Sequence, residues 1–308
     1  MRLGYCLPQV GPTAGPQTLV DVARRAESLG YDTAWVLDRL LYPTHPRAPY
    51  PVSADGSLPG AYRRVLDPIA SLTWVAAATE RIALGTSILV LPWYNPVLLA
   101  RQLATLDVLS GGRLRVGVGT GWSPDEYEAA GVPMAGRGAR AEESLAVMKA
   151  IWAGGTVSHR GERFTLPESQ MELHPVQQPG PKVYMAAYTP AVLARVGEVA
   201  DGWIPAGLPN AAIPSMFEQV KAAAGAAGRD PGSLELVIRA NLTLLPEPLP
   251  EEGRYSFVGS LEQIGADLHA LREMGAHEVH FDAQFSPGIA SVDDHLALAE
   301  RLYGLARA

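Results

Sequence analysis

The stretch IALGTSILVLPWYNPVLLARQLATLDVLSGGRLRVGVG, residues 82–119, decides the fold class of this chain. Its apolar beginning at 82–89 predicts a strand, and residues 96–109, which open on a proline, predict a helix. A Gly-Gly pair ends that helix, and the apolar residues 114–119 predict a second strand. A strand, a crossover helix and another strand are typical of a parallel sheet that is covered by helices.

The same alternation extends from this stretch to both ends of the chain. Further strands are predicted at 2–7, 33–37, 183–187, 202–205, 234–244 and 278–283, and further helices at 17–29, 68–79, 139–152, 190–200, 211–227, 261–274 and 292–305. The eight strand–helix units predict an α/β fold of the closed (β/α)8 TIM-barrel type, in a single domain over residues 1–308. The predicted insertions are a loop at 39–66 and a hairpin at 156–173. A doubly wound open sheet is the alternative fold, although it normally needs fewer strands.

Composition and charge exclude several classes of protein. The 25 Lys and Arg against 32 Asp and Glu give a net charge of −7, so nucleic acid is not an expected partner. The single cysteine, Cys6, rules out a disulfide within the chain and suits the reducing cytoplasm. The uncharged stretch 82–100 contains Gly85, Pro92 and Pro96, so a buried strand and a helix start explain it better than a membrane span. The seven histidines form no HExxH or Cys/His pattern, so no metal site is predicted.

In a (β/α)8 barrel the chemistry takes place at the carboxyl ends of the strands. The residues that follow the predicted strands are mostly small, aromatic or amide groups, and they include Leu7, Pro8, Gln9, Asp38, Arg39, Ser87, Ile88, Leu89, Gly119, Thr120, Gly121, Trp122, Ala187, Tyr188, Thr189, Pro205, Asn241 and Asp282. This set favours a flat, apolar cofactor with a few polar edges over a hydrolytic reaction. The glycines of GVGTG at 117–121 leave two interpretations open. They form either a tight strand exit packed against the barrel mouth or a surface on which a ligand ring lies against the backbone.

Three stretches carry a likeness to a known family: GTSILVLPWYNPVLLARQLATLDVLSGGRLRVGVGTGW at 85–122, ADGWIP at 200–205 and LGYDTAWVLDRLLYP at 29–43. They resemble the bacterial luciferase-like flavin and deazaflavin oxidoreductases. The resemblance is good over residues 1–205 and looser beyond them. It is greatest to the branch that uses coenzyme F420, a deazaflavin hydride carrier, and it implies the same (β/α)8 barrel as the count of strand–helix units.

The resemblance also implies contacts to a flavin-like ring at the barrel mouth. The Ser87-Ile88 bond matches a non-proline cis peptide that family members place behind the ring. Asp38 matches the aspartate that they place near the deazaflavin headgroup. The candidate cofactor-binding residues after the fourth strand are Gly119, Thr120, Gly121 and Trp122.

A second set of contacts is implied for the cofactor phosphate. The loop Ala187-Tyr188-Thr189 matches the region that holds this phosphate in family members. It precedes a predicted helix, whose free backbone N–H groups and dipole favour an anion. Thr189 can equally serve as the N-cap before Pro190.

The chain departs from the sugar-phosphate dehydrogenase branch at two positions. Arg39 stands where that branch has a histidine base, and Trp122 stands where it has a glutamate acid. Alcohol oxidation by a histidine base is therefore not expected. Because an arginine stays protonated, Arg39 can instead bind an anionic substrate or a cofactor edge, and Asp38 and Arg39 are the candidate catalytic residues.

Three functions are compatible with these residues. The first is a coenzyme F420-dependent oxidoreductase that moves a hydride between the deazaflavin C5 and a small organic substrate. The second is an FMN-dependent monooxygenase that works with a flavin reductase. The third is a non-catalytic flavin-binding barrel. The resemblance implies a homodimer, and the loop at 39–66, with Tyr42 and Tyr50, could act as a lid over the site.

Overall fold

The computed structural model describes residues 1–53 and 55–307, so Ala54 of the predicted loop and Ala308 of the predicted domain lie outside the described residues. Eight parallel strands close into a barrel, in the order β1-β2-β3-β4-β7-β8-β9-β12. These strands are β1 (Arg2–Cys6), β2 (Thr33–Val36), β3 (Ala83–Val90), β4 (Leu114–Gly119), β7 (Lys182–Met185), β8 (Gly202–Trp203), β9 (Glu235–Asn241) and β12 (Glu278–Asp282). The predicted (β/α)8 barrel is thus confirmed, and the open sheet is wrong.

Helices connect the strands and cover the outside of the barrel. They are α1 (Pro16–Leu29), α2 (Pro68–Ala76), α3 (Pro96–Leu109), α4 (Pro124–Ala129), α5 (Arg137–Ala153), α6 (Pro190–Val199), α7 (Ile213–Ala226), α8 (Leu261–Glu273) and α9 (Val292–Arg307). The start of α2 illustrates the local rules, because the Asp67 carboxylate accepts a hydrogen bond from the Ala70 N–H at 2.7 Å and Pro68 occupies the first helical position. Within the described ranges, no helix is long and apolar enough to cross a membrane.

The insertions differ in part from the prediction. The hairpin at 156–173 is confirmed as β5 (Gly155–Arg160) and β6 (Thr165–Met171). Helix α4 lies in a segment where no helix was predicted. Its six residues are too few to show an apolar period in the sequence. The strand expected over 234–244 ends at Asn241. Beyond it, β10 (Thr243–Leu244) pairs with β11 (Val258–Gly259) outside the barrel, and the Thr243 N–H donates to the Phe257 carbonyl at 2.9 Å.

The interior of the barrel is apolar in the middle and charged at the amino-terminal end. In the middle of the barrel, the side chains of Trp35, Tyr184 and Val237 are fully buried. Arg2 closes the amino-terminal end, with nitrogens 2.5 Å from Glu235 and 3.1 Å from Glu278. Ion pairs between side chains fill the amino-terminal end. A functional site is therefore expected at the carboxyl end of the barrel.

Strands β3 and β4 lie unusually close together near the mouth. The Ser87-Ile88 peptide is cis, as predicted, and the register between the two strands shifts between Thr86 and Leu89. A Cβ atom added at Gly117 would lie 2.0 Å from the Thr86 carbonyl oxygen. Glycine is therefore required at position 117 by the packing of the two strands.

This close approach yields a test of the fold. We expect Gly117→Ala to destabilise the protein by about 3 kcal/mol or more, because the added methyl group overlaps a backbone atom that a packed barrel cannot move. The matched control is Gly304→Ala in α9, where an added Cβ has no neighbour within 4 Å among the described residues. The free energy of unfolding of that control should rise by about 0.5–1 kcal/mol, because alanine is a better helix former than glycine. Urea unfolding of both variants measures the difference, and equal stability would contradict the structure at this point.

Candidate functional site

Asp38 lies at the carboxyl end of β2 and is held by the strand beside it. Its Oδ2 accepts hydrogen bonds from the Val90 N–H at 3.1 Å and from the Tyr94 hydroxyl at 2.9 Å. Burial raises the pKa of Asp38 to about 6, although these two hydrogen bonds act in the opposite direction. The negative charges of Asp67 and Glu126 raise it further. Asp38 is thus a carboxyl group at the barrel mouth that can change its protonation state near neutral pH.

Arg39 is paired with a residue that the sequence did not single out. Its Nη1 lies 2.7 Å from the Glu126 Oε2, and the arginine and glutamate side chains are only 7% and 1% exposed. The Glu126 Oε1 also accepts from the Leu40 N–H at 2.9 Å. Glu126 lies on α4, and the available signal was the SPDE run that begins at Ser123, whose hydroxyl accepts from the Glu126 N–H. The catalytic role expected for Arg39 stays a prediction, and its visible role is to fasten the loop after β2 to the segment after β4.

The loop at 39–66 covers part of the mouth with aromatic rings. The guanidinium of Arg39 lies 5.0 Å from the centre of the Tyr62 ring and 4.9 Å from that of Trp122. Tyr50 contacts the same two rings, and its hydroxyl is 3.1 Å from the Tyr62 hydroxyl. A fourth ring, that of Phe285, lies 4.9 Å from the Tyr62 ring. These contacts hold Tyr50 and Tyr62 of the loop against Trp122 and Arg39, and the action of the loop as a lid stays a prediction.

Two further residues of the mouth are Arg239 on β9 and Asp282 on β12. The sequence did not single out Arg239, and it placed Asp282 after a strand without giving it a role. The guanidinium of Arg239 donates to the Ser87 carbonyl at 2.5 Å and to the Asp282 carboxylate. The Ser87 hydroxyl is 3.0 Å from the His280 Nε2, and the His280 ring stacks on Trp35 at 4.5 Å. Burial, and then the charge of Arg239, lower the pKa of His280 well below its usual value, so this imidazole is neutral. The available signal was the polar residues at alternate positions of the two strands, Glu235 and Arg239 in ELVIRAN and Glu278, His280 and Asp282 in EVHFD.

The glycines of GVGTG serve the packing of β4 against β3. An added Cβ would lie 2.6 Å from the Ile88 Cδ1 at Gly119 and 2.7 Å from the Val90 Cγ1 at Gly121. The neighbouring Thr120 carbonyl accepts a hydrogen bond from the Tyr127 hydroxyl. The tight strand exit thus explains these glycines without a ligand, and a cofactor contact at 119–122 stays a prediction.

The loop expected to hold a phosphate lies at the start of α6. Ala187 is buried, and its carbonyl accepts from the Trp203 indole N–H at 3.0 Å. Tyr188 and Thr189 are exposed. Thr189 occupies the N-cap position, but its side chain makes no capping hydrogen bond. Thr189 is thus the N-cap residue of α6, as predicted, although its hydroxyl adds no capping bond, and contact with a phosphate stays a prediction.

The mouth holds several buried hydrogen-bond donors without a partner. Within the described part of the chain, these are the Arg39 Nε and Nη2, the Trp93 Nε1 and the Arg239 Nε, and the His280 Nδ1 is likewise buried without a partner. Arginine and tryptophan nitrogens can donate hydrogen bonds but cannot accept them. A buried polar group without a partner is costly, so such a set is typical of a site that is completed by a ligand rich in acceptor atoms. In the same described residues, no three His, Cys, Asp or Glu side chains are placed to hold a metal ion.

Comparison with known proteins identifies the family of this chain. The model of the family described as luciferase-like monooxygenase matches residues 1–248. An uncharacterized protein of Mycobacterium tuberculosis is 39% identical over 183 residues, which cover 59% of this chain and 65% of the relative. The chain thus spans slightly less than two thirds of that relative. An F420-dependent glucose-6-phosphate dehydrogenase of Kineococcus radiotolerans is 32% identical over 258 residues, which cover 80% of this chain and 69% of that enzyme.

A solved structure shares the fold over the full length. An F420-dependent secondary alcohol dehydrogenase, in complex with an F420-acetone adduct, superposes with a TM-score of 0.80 at 19% sequence identity. The superposition covers 100% of this chain and 99% of that one. The predicted likeness to the luciferase-like proteins is confirmed, and the common barrel extends beyond the residues that the family model matches.

The environment of Asp38 predicts a pH-dependent stability. A carboxyl group whose folded pKa is raised to about 6 stabilises the protein below its unfolded pKa, and this contribution is lost as the pH rises through 6. Asparagine can accept the same two hydrogen bonds without a charge. We therefore expect the free energy of unfolding of Asp38→Asn, relative to that of the wild type, to rise by roughly 2 kcal/mol as the pH is raised from 4 to 8.

Thermal unfolding across this pH range measures the effect. The control is Asp293→Asn, which changes an exposed aspartate in the first turn of α9. A difference between Asp38→Asn and the wild type that stays constant from pH 4 to pH 8 would contradict the raised pKa of Asp38.

Proposed function

Because the chain belongs to the luciferase-like monooxygenase family, we propose that it is a coenzyme F420-dependent oxidoreductase that acts on a small organic substrate. The choice of F420 is supported by the relative from Kineococcus radiotolerans, which is named as F420-dependent and matches 80% of this chain. When bound, the deazaflavin supplies or accepts the hydride at its C5. The protein contributes binding, orientation and the exclusion of water.

The observation that carries the proposal is the set of unpaired donors beside Asp38. The Arg39 Nε and Nη2 and the Trp93 Nε1 are buried, and they belong to residues that follow β2 and β3. A deazaflavin ring has carbonyl oxygens along one edge and an apolar body, so it matches donors set among aromatic side chains. The residues present at the mouth therefore fit the cofactor.

The proposed roles follow from the positions of the side chains. Asp38 lies at the polar edge of the ring, where its carboxyl group can hold or release a proton near neutral pH. The Ser87-Ile88 segment would support the ring, and the segment 119–122 would border it. The amino-terminal end of α6, at Ala187-Tyr188-Thr189, is the proposed phosphate site, because its first N–H groups point out of the helix.

An FMN-dependent monooxygenase that needs a flavin reductase is the second candidate, because the family is described by its monooxygenases. FMN has similar carbonyl acceptors, so the same donors fit both rings. A non-catalytic flavin-binding barrel is the third. Arg39 and Glu126 neutralise each other and neither is free to act as an acid or a base, which is the observation that keeps the third candidate open. The homodimer stays a prediction.

Parallel titrations with coenzyme F420 and FMN test the assignment. We expect F420 to quench the tryptophan fluorescence with a dissociation constant at least tenfold lower than that of FMN. Trp93 and Trp122, at the mouth, provide the signal. FMN binding tenfold tighter than F420 would replace the proposal with the monooxygenase, and tight binding without turnover of any substrate would favour the non-catalytic barrel.

The role of Asp38 is tested by its replacement. We expect Asp38→Ala to weaken F420 binding tenfold or more, which corresponds to about 1.4 kcal/mol, because the carboxyl group at the ring edge is removed. Asp293→Asn serves again as the exposed control and should leave the affinity unchanged. If Asp38→Ala changes the melting temperature but leaves the affinity as in the wild type, Asp38 only fastens β2 to β3 and does not contact the cofactor.

A further inference from the structure

Two residues near the end of β3 lie outside the strand register that the described residues form. Pairing with β2 ends at Thr86, and pairing with β4 passes from Thr86 directly to Leu89. Ser87 and Ile88 lie between these positions, and Ser87 is only 1% exposed. Because such an irregularity leaves the extra residues outside the regular ladder, other contacts must set their position.

Arg239 holds the backbone of Ser87 from the opposite side of the barrel. In the barrel order, β9 is four strands from β3, which is the largest separation that eight strands allow. The Arg239 Nη1 donates to the Ser87 carbonyl at 2.5 Å, and its Nη2 donates to the Asp282 carboxylate. The Gln284 amide donates to the other Asp282 oxygen at 3.1 Å. The guanidinium is thus fixed by a carboxylate that is itself fixed, and a charged donor holds a carbonyl oxygen more strongly than a neutral one.

His280 on β12 holds the side chain of the same serine. Its Nε2 lies 3.0 Å from the Ser87 Oγ. The imidazole is fully buried and stacks on the Trp35 ring, with 4.5 Å between the ring centres. The Trp35 indole N–H donates in turn to the Glu278 carboxylate at 2.9 Å. The side chain that contacts the serine hydroxyl is therefore itself packed against a fixed ring.

Packing alone does not explain these polar groups. Apolar side chains can fill the same space, and a buried ion pair often adds no stability over apolar residues of similar volume. The Arg239 Nε and the His280 Nδ1 are also buried without a partner among the described residues, which is a further cost. What the two side chains share is the contact with Ser87. Holding this serine is therefore the role that fits both of them.

We propose that Arg239 and His280 are positioning residues, which hold Ser87 so that the cofactor ring meets a fixed surface near the end of β3. They act through the serine and do not have to contact the cofactor themselves. A surface that is fixed before the ligand arrives does not have to be ordered on binding, so the ligand binds more tightly. The proposal deepens the function proposed above and rests on it.

Hydrogen exchange, followed by mass spectrometry on the protein without cofactor, tests whether the end of β3 is held in this way. The first variant is Arg239→Met with Asp282→Leu, which removes both charges and leaves no unpaired ion in the barrel. The second is His280→Phe, which keeps an aromatic ring beside Trp35. We expect exchange in the peptide 84–92 to become at least tenfold faster in both variants, while the other barrel strands exchange as in the wild type. A merely structural role would change exchange in all strands together.

Cofactor titrations of the same variants test the positioning role. We expect both variants to bind F420 at least fivefold more weakly than the wild type. One matched control is Arg254→Met with Asp267→Leu, another buried ion pair, whose side chains are 8% and 7% exposed. The other is His295→Phe, a buried histidine on α9. Both controls should keep the wild-type affinity and the wild-type exchange of the peptide 84–92.

The outcomes separate the two proposals. If the wild type binds only FMN, the titrations use FMN, so a wrong choice of cofactor is distinguished from a wrong assignment of the two residues. Unchanged exchange of the peptide 84–92 in Arg239→Met with Asp282→Leu overturns the hold on Ser87. Faster exchange with unchanged affinity overturns the positioning role, as does an equal loss of affinity in the controls. A wild type that binds neither cofactor overturns the proposed function and this role together.

Discussion

The guanidinium of Arg239 is the group on which the mouth of this barrel depends. It is largely buried inside the barrel, where an uncompensated charge is costly, so it must be paired and hydrogen-bonded. Asp282 on β12 supplies the countercharge, and the Ser87 carbonyl on β3 supplies an acceptor on the far side of the barrel. One side chain thus connects three strands. It also holds Ser87 in place, in the segment that is proposed to support a cofactor ring.

The second buried arginine organises the opposite side of the mouth. Arg39 follows β2, and its pairing with Glu126 joins the loop at 39–66 to the segment after β4. The rings of Tyr62 and Trp122 then lie against the cation, and further aromatic residues close this side to water. Each arginine is paired with a carboxylate, Arg39 with Glu126 and Arg239 with Asp282. The mouth is therefore rich in donors, while the charges of both arginines are balanced.

The resemblance implies a histidine base and a glutamate acid at the positions of Arg39 and Trp122, and this chain has neither. Glu126, on the helix that follows β4, is bound to Arg39. Asp38, with a pKa of about 6, is the titratable group that remains near the proposed cofactor edge. Chemistry in which the cofactor carries the reaction and the protein mainly positions the reactants agrees with this arrangement.

The sequence by itself determined the barrel, because eight apolar strands alternating with helices bury both faces of a parallel sheet in only a few ways. It also placed Asp38 and the Ser87-Ile88 bond at the mouth, since carboxyl ends of strands meet there whatever the side chains are. Only the tertiary structure showed that Glu126 pairs with Arg39, that Arg239 reaches Ser87 across the barrel, and that the GVGTG glycines serve strand packing. These contacts join residues 87, 152 and 31 positions apart, from Arg39 to Glu126, from Ser87 to Arg239 and from Thr86 to Gly117. Local spacing carries no information about such pairs, because which side chains meet inside a barrel depends on strand register and packing.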